Sequence, residues 1–211
     1  MSGGRLVITN IIGVVVILAL LIWGGYYFTQ KSNYISTDNA KVSGDLFTIV
    51  ASSNGKITKF NVKDGQDVSK DEEVASLRTQ NGSVSVAAPT DGRIIKTNVK
   101  EDEAVQAGES LASEIDMSKL FILANIDEDD VKDIKVGNDV DIVVDGDPNT
   151  TIDGKVDEIG SAANSIFSLT PSSNNNGNYT KVTQTIPVKI SMSNYSEYVL
   201  PGMNAEIKIS K

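Results

Sequence analysis

The chain has 211 residues with a formal net charge of −9, and it contains neither cysteine nor histidine. These absences exclude disulfides, thiolate catalysis, histidine general bases and nearly all zinc sites. The acidic charge disfavours nucleic acid as a partner, because the phosphates would be repelled.

An uncharged, largely apolar stretch occupies residues 11–28. Its length approaches the roughly 20 apolar residues that cross a bilayer as a helix. Aromatic residues collect at its end, as in a membrane-interface belt: Trp23, Tyr26, Tyr27 and Phe28. A cleaved signal peptide is the alternative, but its apolar core is shorter and ends at small residues. We predict a cytoplasmic tail over residues 1–10 and a transmembrane helix over residues 11–29, with the acidic region on the outer side.

The middle of the chain contains an internal repeat. Residues 54–77 and 91–114 align without a gap at an offset of 37, and ten of the 24 pairs are identical. Each copy predicts a turn, an alternating strand, a polar turn and two further short strands. Because neither copy can bury an apolar face alone, we predict that the two pack face to face as a small two-fold β-sandwich over residues 51–116.

Glycines mark the turns of this repeat, and we predict structural turns at four of them: Gly55, Gly65, Gly92 and Gly108. At the same offset, Gly65 aligns with Asp102, and Gly108 aligns with Asp71. Aspartate tolerates positive φ better than most residues, so the two copies can keep one turn geometry.

The segment after the repeat predicts a β-barrel domain over residues 117–211. Alternating or apolar runs of strand length lie at residues 120–126, 140–144, 151–158, 181–191 and 205–210. The stretch from Asp127 to Ile134 predicts one or two helical turns with Asp127 as N-cap. Residues 42–50, the end of a linker over residues 30–50, are expected to supply the first barrel strand. The sandwich would then be inserted into the barrel.

The tandem half-motif resembles the biotinyl/lipoyl fold. A carrier domain of that fold presents a modified lysine on the hairpin between its halves. The corresponding connection here, residues 78–86, contains no lysine. We therefore do not expect a swinging-arm carrier, since fold alone does not decide function.

The flanking segments point to a more specific resemblance. TDNAKVSG precedes the repeat, and FSLTP, GNYTKVTQTIPVKI and LPGM follow it in that order. With the anchor and the split repeat, the chain resembles the HlyD/EmrA family of membrane fusion proteins, the adaptor subunits of exporters. The resemblance implies a major-facilitator exporter as partner, with an ABC exporter as the alternative, and assembly of the adaptor into a homo-oligomer.

One departure from the family concerns the connection between the lipoyl halves. Family members from two-membrane bacteria carry a long α-helical hairpin there, whereas about nine residues join the halves here. The chain therefore resembles a short form without the hairpin. This predicts a cell membrane location in a Gram-positive-like cell, with the C-terminal domain extracellular.

These features predict a non-catalytic adaptor that acts by protein–protein association and uses no cofactor. The alternative is a surface-displayed binding or structural module without an exporter. We expect no metal site: the acidic run at residues 127–130 suits a helix N-terminus, and the EF-hand-like start at Asp145 has Thr150 where glycine is needed.

The Ser/Asn-rich segment over residues 161–178 allows two interpretations. It is a mobile hairpin tip, or it contacts the exporter or the membrane surface. In the second case the candidate partner contacts are its apolar residues and the tyrosine that follows: Phe167, Leu169 and Tyr179.

Overall fold

The structure, a computed structural model, describes residues 12–23, 33–167 and 183–211, with Phe167 described by its backbone only. The chain divides into two compact units. One unit comprises Lys41–Ile122 and Glu197–Met203. The other comprises Met1–Ala40, Leu123–Ser196 and Asn204–Lys211.

Near the N-terminus, residues 12–23 are helical. The first and last of them, Ile12 and Trp23, are 58% and 69% exposed. Within the described residues, no helix is both long enough and apolar enough to cross a membrane. The span predicted over residues 11–29 is described only in part, since its remainder, with Tyr26, Tyr27 and Phe28, lies outside the described residues.

The described part of the chain is mainly β, as predicted. Its strands, in chain order, are β1 (Tyr34–Ser43), β2 (Leu46–Val50), β3 (Gly55–Phe60), β4 (Asp67–Val68), β5 (Glu73–Thr79), β6 (Gly82–Ala87), β7 (Gly92–Thr97), β8 (Ala104–Val105), β9 (Ser110–Ile115), β10 (Phe121–Asp127), β11 (Asp139–Val144), β12 (Asp147–Ile159), β13 (Thr185–Met192) and β14 (Asn204–Ser210). A one-turn helix, Glu128–Val131, follows β10, and a 3₁₀ turn, Asn164–Phe167, follows β12.

Six strands close into a barrel in the order β1-β10-β13-β12-β11-β14, which confirms the predicted barrel. Its strands follow the period-2 pattern of a sheet with one buried face. In β14, Ala205, Ile207 and Ile209 are buried and the residues between them are exposed. The runs predicted at residues 140–144 and 151–158 leave six residues between them, but the β11–β12 turn is tighter, because Val144 already pairs with Asp147.

The first barrel strand was predicted over residues 42–50, and this placement is wrong. The barrel strand is β1, which ends at Ser43, whereas β2 pairs with β9 outside the barrel. The segment is interrupted at Gly44, where a Cβ would lie 2.9 Å from side-chain atoms of Ile115 and Leu120. Beyond this break, Ile49 is 2% exposed within the core of the sandwich.

The sandwich consists of two four-stranded sheets. We call them the β2 sheet, with the order β2-β9-β7-β4, and the β6 sheet, with the order β6-β5-β3-β8. At the offset of 37, β2 to β5 correspond one by one to β6 to β9. Each sheet therefore takes two strands from each copy. The copies exchange strands, and the prediction that they simply pack face to face is corrected in this respect.

The core of the sandwich explains which residues the two copies share. Four of the ten identical pairs are buried in both copies: Ile57/Ile94, Val62/Val99, Val68/Val105 and Ala75/Ala112. Full burial of one aliphatic side chain of this size stabilises the fold by about 1.5–3 kcal/mol. Because both copies face one core, the same apolar positions are required twice.

Candidate functional site

The turns of the repeat have one backbone geometry in both copies. Four aligned residues have positive φ: Gly65 (82°), Asp102 (69°), Asp71 (65°) and Gly108 (85°). The first pair also bonds alike, since the amide of Gly65 donates to Ile94 O at 2.7 Å and that of Asp102 donates to Ile57 O at 2.9 Å. Each bond joins one copy to the other, so these turns tie the sandwich together.

Gly55 and Gly92 are needed for close approach of the backbone. A Cβ at Gly55 would lie 2.6 Å from the carbonyl oxygen of Arg78, and a Cβ at Gly92 would lie 2.8 Å from that of Ile115. Both oxygens belong to the backbone of the following chain segment, which cannot move away cheaply. These two glycines therefore set the spacing of β3 and β7 from their neighbours.

The connection between the two copies is a two-residue hairpin loop. Thr79 at the end of β5 pairs with Gly82 at the start of β6, which leaves Gln80 and Asn81 as the loop. The Thr79 hydroxyl donates to Gly82 O at 2.9 Å and accepts from the amide of Asn81 at 3.1 Å. This is a short form without a helical hairpin, and the loop carries no lysine that a carrier domain would modify.

A buried carboxylate breaks the symmetry of the core. Glu114 is fully buried on β9, at the position that Leu77 occupies in the first copy. Its Oε1 accepts from the Thr90 hydroxyl at 2.7 Å and from the Thr90 amide at 3.1 Å. Among the described residues its Oε2 has no hydrogen-bond partner, and neither has the hydroxyl of Ser53, the residue that aligns with Thr90.

The acidic residues form no cation site in the part of the chain that the structure describes, where no three metal-ligating side chains come together. Glu128, Asp129 and Asp130 lie in the first turn of the one-turn helix. Asp147 accepts hydrogen bonds from the hydroxyls of Thr150 at 3.0 Å and Ser196 at 2.9 Å. Its oxygens are therefore engaged by the protein itself.

An asparagine network joins three barrel strands to the 3₁₀ turn. The side-chain amide of Asn125 on β10 donates to Asn39 Oδ1 on β1 at 3.0 Å. The amide of Asn164 donates to Asn125 Oδ1 at 2.7 Å and to the Thr185 hydroxyl on β13 at 3.1 Å. Asn39 belongs to the TDNAKVSG motif, whereas Asn125 and Asn164 were not predicted to take part, although Asn125 follows an apolar stretch within β10.

The network fixes the start of the segment that holds the candidate partner contacts. Phe167 ends the 3₁₀ turn, and its neighbour Ile166 is 72% exposed. Leu169 and Tyr179 lie outside the described residues. The structure therefore describes the turn that precedes the candidate contacts, but not the side chains of the three contacts themselves.

Comparison with known proteins gives one family. Residues 45–116 match the YhbJ barrel-sandwich hybrid domain. The chain is 52% identical over all of its 211 residues to YhbJ of Bacillus subtilis (strain 168), provisionally named an efflux system component, and it covers 95% of that protein. Over 101 residues, 47% of the chain, it is 32% identical to the colistin resistance protein EmrA of Acinetobacter baumannii, of which it covers 29%.

A solved structure agrees in fold. The membrane fusion protein Spr0693 of Streptococcus pneumoniae R6 superposes with a TM-score of 0.60 at 13% identity, covering 84% of this chain and 99% of that one. Together with the full-length match to an efflux system component, the barrel-sandwich hybrid and the six-stranded barrel define a protein of the adaptor class. The chain belongs to the membrane fusion protein family of efflux adaptors, among its YhbJ and EmrA-like members.

Proposed function

We propose that the chain is the membrane-anchored adaptor subunit of an efflux exporter. A transmembrane helix over residues 11–29 holds it in the cell membrane, with the N-terminus in the cytoplasm and the folded units outside a Gram-positive-like cell. The adaptor acts by association and catalyses no reaction. Its partner is a plasma-membrane exporter, of the major-facilitator type before the ABC type, and its copies form a homo-oligomer.

The observation that supports this proposal most is the full-length match to an efflux system component, at 52% identity over 211 residues. The hairpin loop of Gln80 and Asn81 supports the single-membrane setting, because the sandwich has no extension there that would reach a second membrane. The uncharged stretch of residues 11–28 supports the anchor.

The candidate contacts Phe167, Leu169 and Tyr179 supply apolar side chains for the exporter surface in this proposal. The hydrogen bonds of Asn164 support it, since they hold the preceding turn against β10 and β13. The 72% exposure of Ile166 extends the apolar character of the same segment. Aromatic and aliphatic anchors of this kind dominate the binding energy of many protein interfaces.

Affinity purification of the tagged full-length protein from mild detergent tests the proposal, with copurifying proteins identified by mass spectrometry. We expect a polytopic exporter in near-stoichiometric amount, and its sequence identifies the transporter class. Recovery of the protein alone across several gentle detergents would contradict the proposal and favour a surface-displayed module without an exporter.

A pair of variants tests the candidate contacts. The triple variant Phe167→Ala, Leu169→Ala, Tyr179→Ala should reduce the recovered exporter by roughly tenfold or more, as loss of interface anchors does. The matched control replaces Asn174, Asn175 and Asn176 in the same segment by alanine and should retain the exporter. Equal recovery with both variants would exclude the three apolar residues as the contact.

A further inference from the structure

The sandwich has a groove beside the β5–β6 hairpin, and the repeat offers an internal comparison for it. The groove has a volume of about 670 Å³, which is within the range of small-molecule sites. It lies where β3 begins and β5 ends, and the equivalent place in the second copy is where β7 begins and β9 ends. Folding makes similar demands at both places. A consistent difference in their chemistry therefore indicates a role beyond folding.

The second copy is acidic at this place, whereas the first copy is not. Three carboxylates of the second copy align with uncharged residues of the first. The aligned pairs are Glu114/Leu77, Asp91/Asn54 and Asp116/Thr79. In addition, the apolar Ile115 aligns with Arg78, which lines the groove. All four exchanges make the first copy more positive, although the chain as a whole has a net charge of −9.

One of these exchanges turns a hydrogen-bond acceptor into a donor. Asp91 Oδ1 accepts from the amide of Lys70 at 2.9 Å, and at the aligned position Asn54 Oδ1 accepts from the amide of Ala107 at 2.7 Å. The same bond thus orients both side chains. The group that remains is a carboxylate oxygen in Asp91 but an NH₂ group, which only donates, in Asn54. Since Asn54 lines the groove, it supplies a donor there.

Arg78 has no acidic partner, in contrast to the other arginine that the structure describes. Arg93 forms two hydrogen bonds with Asp67, at 2.7 and 3.2 Å. Among the described residues, none engages the guanidinium of Arg78 in a hydrogen bond or ion pair. Its neighbour across β3 and β5 is a second cation, Lys56, whose Nζ lies 2.8 Å from Asp102. Like charges at opposite positions of a sheet are destabilising, so an anion bound to Arg78 would relieve this cost.

The hydroxyl of Ser53 is a further unused donor at the groove. Ser53 lines the groove, its side-chain oxygen is buried, and among the described residues that oxygen has no hydrogen-bond partner. In the second copy, the hydroxyl of the aligned Thr90 donates to Glu114 at 2.7 Å. Leu77, at the position of Glu114, cannot accept. Buried hydroxyls are rarely left unpaired, so the difference between the copies again favours an acceptor from outside the chain.

We propose that this groove binds an oxyanion, the carboxylate or phosphate group of a free small molecule or of a lipid headgroup, with Arg78 as the principal binding residue. A guanidinium forms two parallel N–H···O bonds with such a group. Asn54 and the exposed side chains of Gln80 and Asn81 provide neutral donors around it. Arg78 is the charged residue among the described residues that line the groove, so a cationic ligand would be repelled.

NMR of arginine side chains tests the site, because the chain has three arginines: Arg5, Arg78 and Arg93. The full-length protein, labelled with ¹⁵N-arginine, is studied in micelles of an uncharged maltoside detergent, and Arg78→Gln identifies the Nε–H signal of Arg78. We expect inorganic phosphate or acetate at millimolar concentration to shift this signal to saturation. Sodium chloride at equal ionic strength should not shift it, and the Arg93 signal is the internal control. The absence of a saturable shift, or an equal shift of Arg93, would overturn the proposal.

A pair of variants separates the site from general attraction of anions. Arg78→Gln and Arg93→Gln remove the same charge from different sheets of the sandwich. Calorimetric titration with the anion that shifts the signal should show binding weakened by roughly tenfold or more in Arg78→Gln and retained in Arg93→Gln. Arg78→Lys should lie between, because an ammonium keeps the charge but not the paired geometry. Equal weakening in both glutamine variants would contradict a site at Arg78.

Nanodiscs distinguish the two sources of the oxyanion. The labelled full-length protein is placed in phosphatidylcholine nanodiscs with or without phosphatidylglycerol, and no phosphate is added at first. A shift of the Arg78 signal with phosphatidylglycerol assigns the groove to a lipid headgroup. A shift only after phosphate or acetate is added assigns it to a free anion. Neither measurement involves the exporter, so the outcome is independent of the proposed adaptor function.

Discussion

The hydroxyl of Thr90 is one of two donors to the buried carboxylate of Glu114. A buried acceptor that loses its donor costs about 1–3 kcal/mol, because its desolvation is no longer compensated. We expect Thr90→Ala to lower the free energy of unfolding of the protein by about that amount. Urea unfolding followed by circular dichroism measures it.

Ser53 provides the matched control for this prediction. It aligns with Thr90 in the first copy, where Leu77 stands at the position of Glu114, and among the described residues its hydroxyl has no partner. Ser53→Ala removes no hydrogen bond and should change the free energy of unfolding by less than about 0.5 kcal/mol. If both variants lose the same stability, the Thr90–Glu114 bond contributes nothing specific.

Single residues also show where the sequence was informative. The turns at Gly65 and Gly108 could be predicted because a positive φ is a local property that only a few residue types tolerate. Glu114 could not be recognised as buried, because its partner lies 24 positions away. No local pattern reveals that a carboxylate in a short strand will meet a hydroxyl across the sheet.

At the scale of elements, the β5–β6 hairpin loop is the point at which the sandwich can be extended. Gln80 and Asn81 are exposed, and the hydrogen bonds of Thr79 to the described residues of the loop, with Gly82 and Asn81, lie within the hairpin itself. Lengthening a loop costs only about 0.6 kcal/mol for each doubling of its length. We expect four Gly/Ser residues inserted after Gln80 to lower the free energy of unfolding by about 1 kcal/mol, measured by urea unfolding.

The same insertion after Asp64 is the control. There the Asp64 side chain accepts from the amide of Thr97 at 2.7 Å, and the amide of Gly65 donates to Ile94 O at 2.7 Å. Both bonds join the first copy to the second, so their loss should cost about 1–3 kcal/mol beyond the loop entropy. An equal loss of unfolding free energy at the two sites would show that the hairpin loop does not tolerate insertions better than the turn at Asp64.

The pairing of strands explains why β2 was wrongly assigned to the barrel. Residues 42–50 read VSGDLFTIV, and the prediction treated the whole stretch as one strand. Glycine and aspartate are poor strand formers, so Gly44 and Asp45 marked the break locally. The side chains of Ile115 and Leu120, which leave little room for a Cβ at Gly44, lie about 70 positions further along the chain. The existence of the strand was therefore visible in the sequence, whereas its partner was not.

At the scale of the whole molecule, the repeat predicted a sandwich but not the exchange of strands. Apolar periodicity shows which residues face a core, and both arrangements give the same inward residues. The choice is made by pairs such as Gly55 with Val105 and Val68 with Gly92, which cross between the copies. Such pairing leaves each copy without two of the strands that complete its sheet.

Strand exchange predicts how fragments behave. A peptide of residues 45–81 contains β2 to β5, and a peptide of residues 82–117 contains β6 to β9. Each is shorter than the roughly 40 residues below which chains rarely bury enough surface to fold alone. We expect both peptides to be unfolded by circular dichroism at low micromolar concentration, and an equimolar mixture to regain a β spectrum and a cooperative melting transition.

The two separate peptides should also differ in how readily each one self-associates. A homodimer of residues 45–81 buries two copies of Leu77, whereas a homodimer of residues 82–117 buries two carboxylates of Glu114, the residue at the same position. Burying two polar carboxyl groups in an apolar core is costly, so only the first peptide should gain structure as its concentration rises. Sedimentation and circular dichroism across a concentration series measure this difference. A peptide of either kind that folds as a monomer would contradict the exchange of strands as the basis of the sandwich.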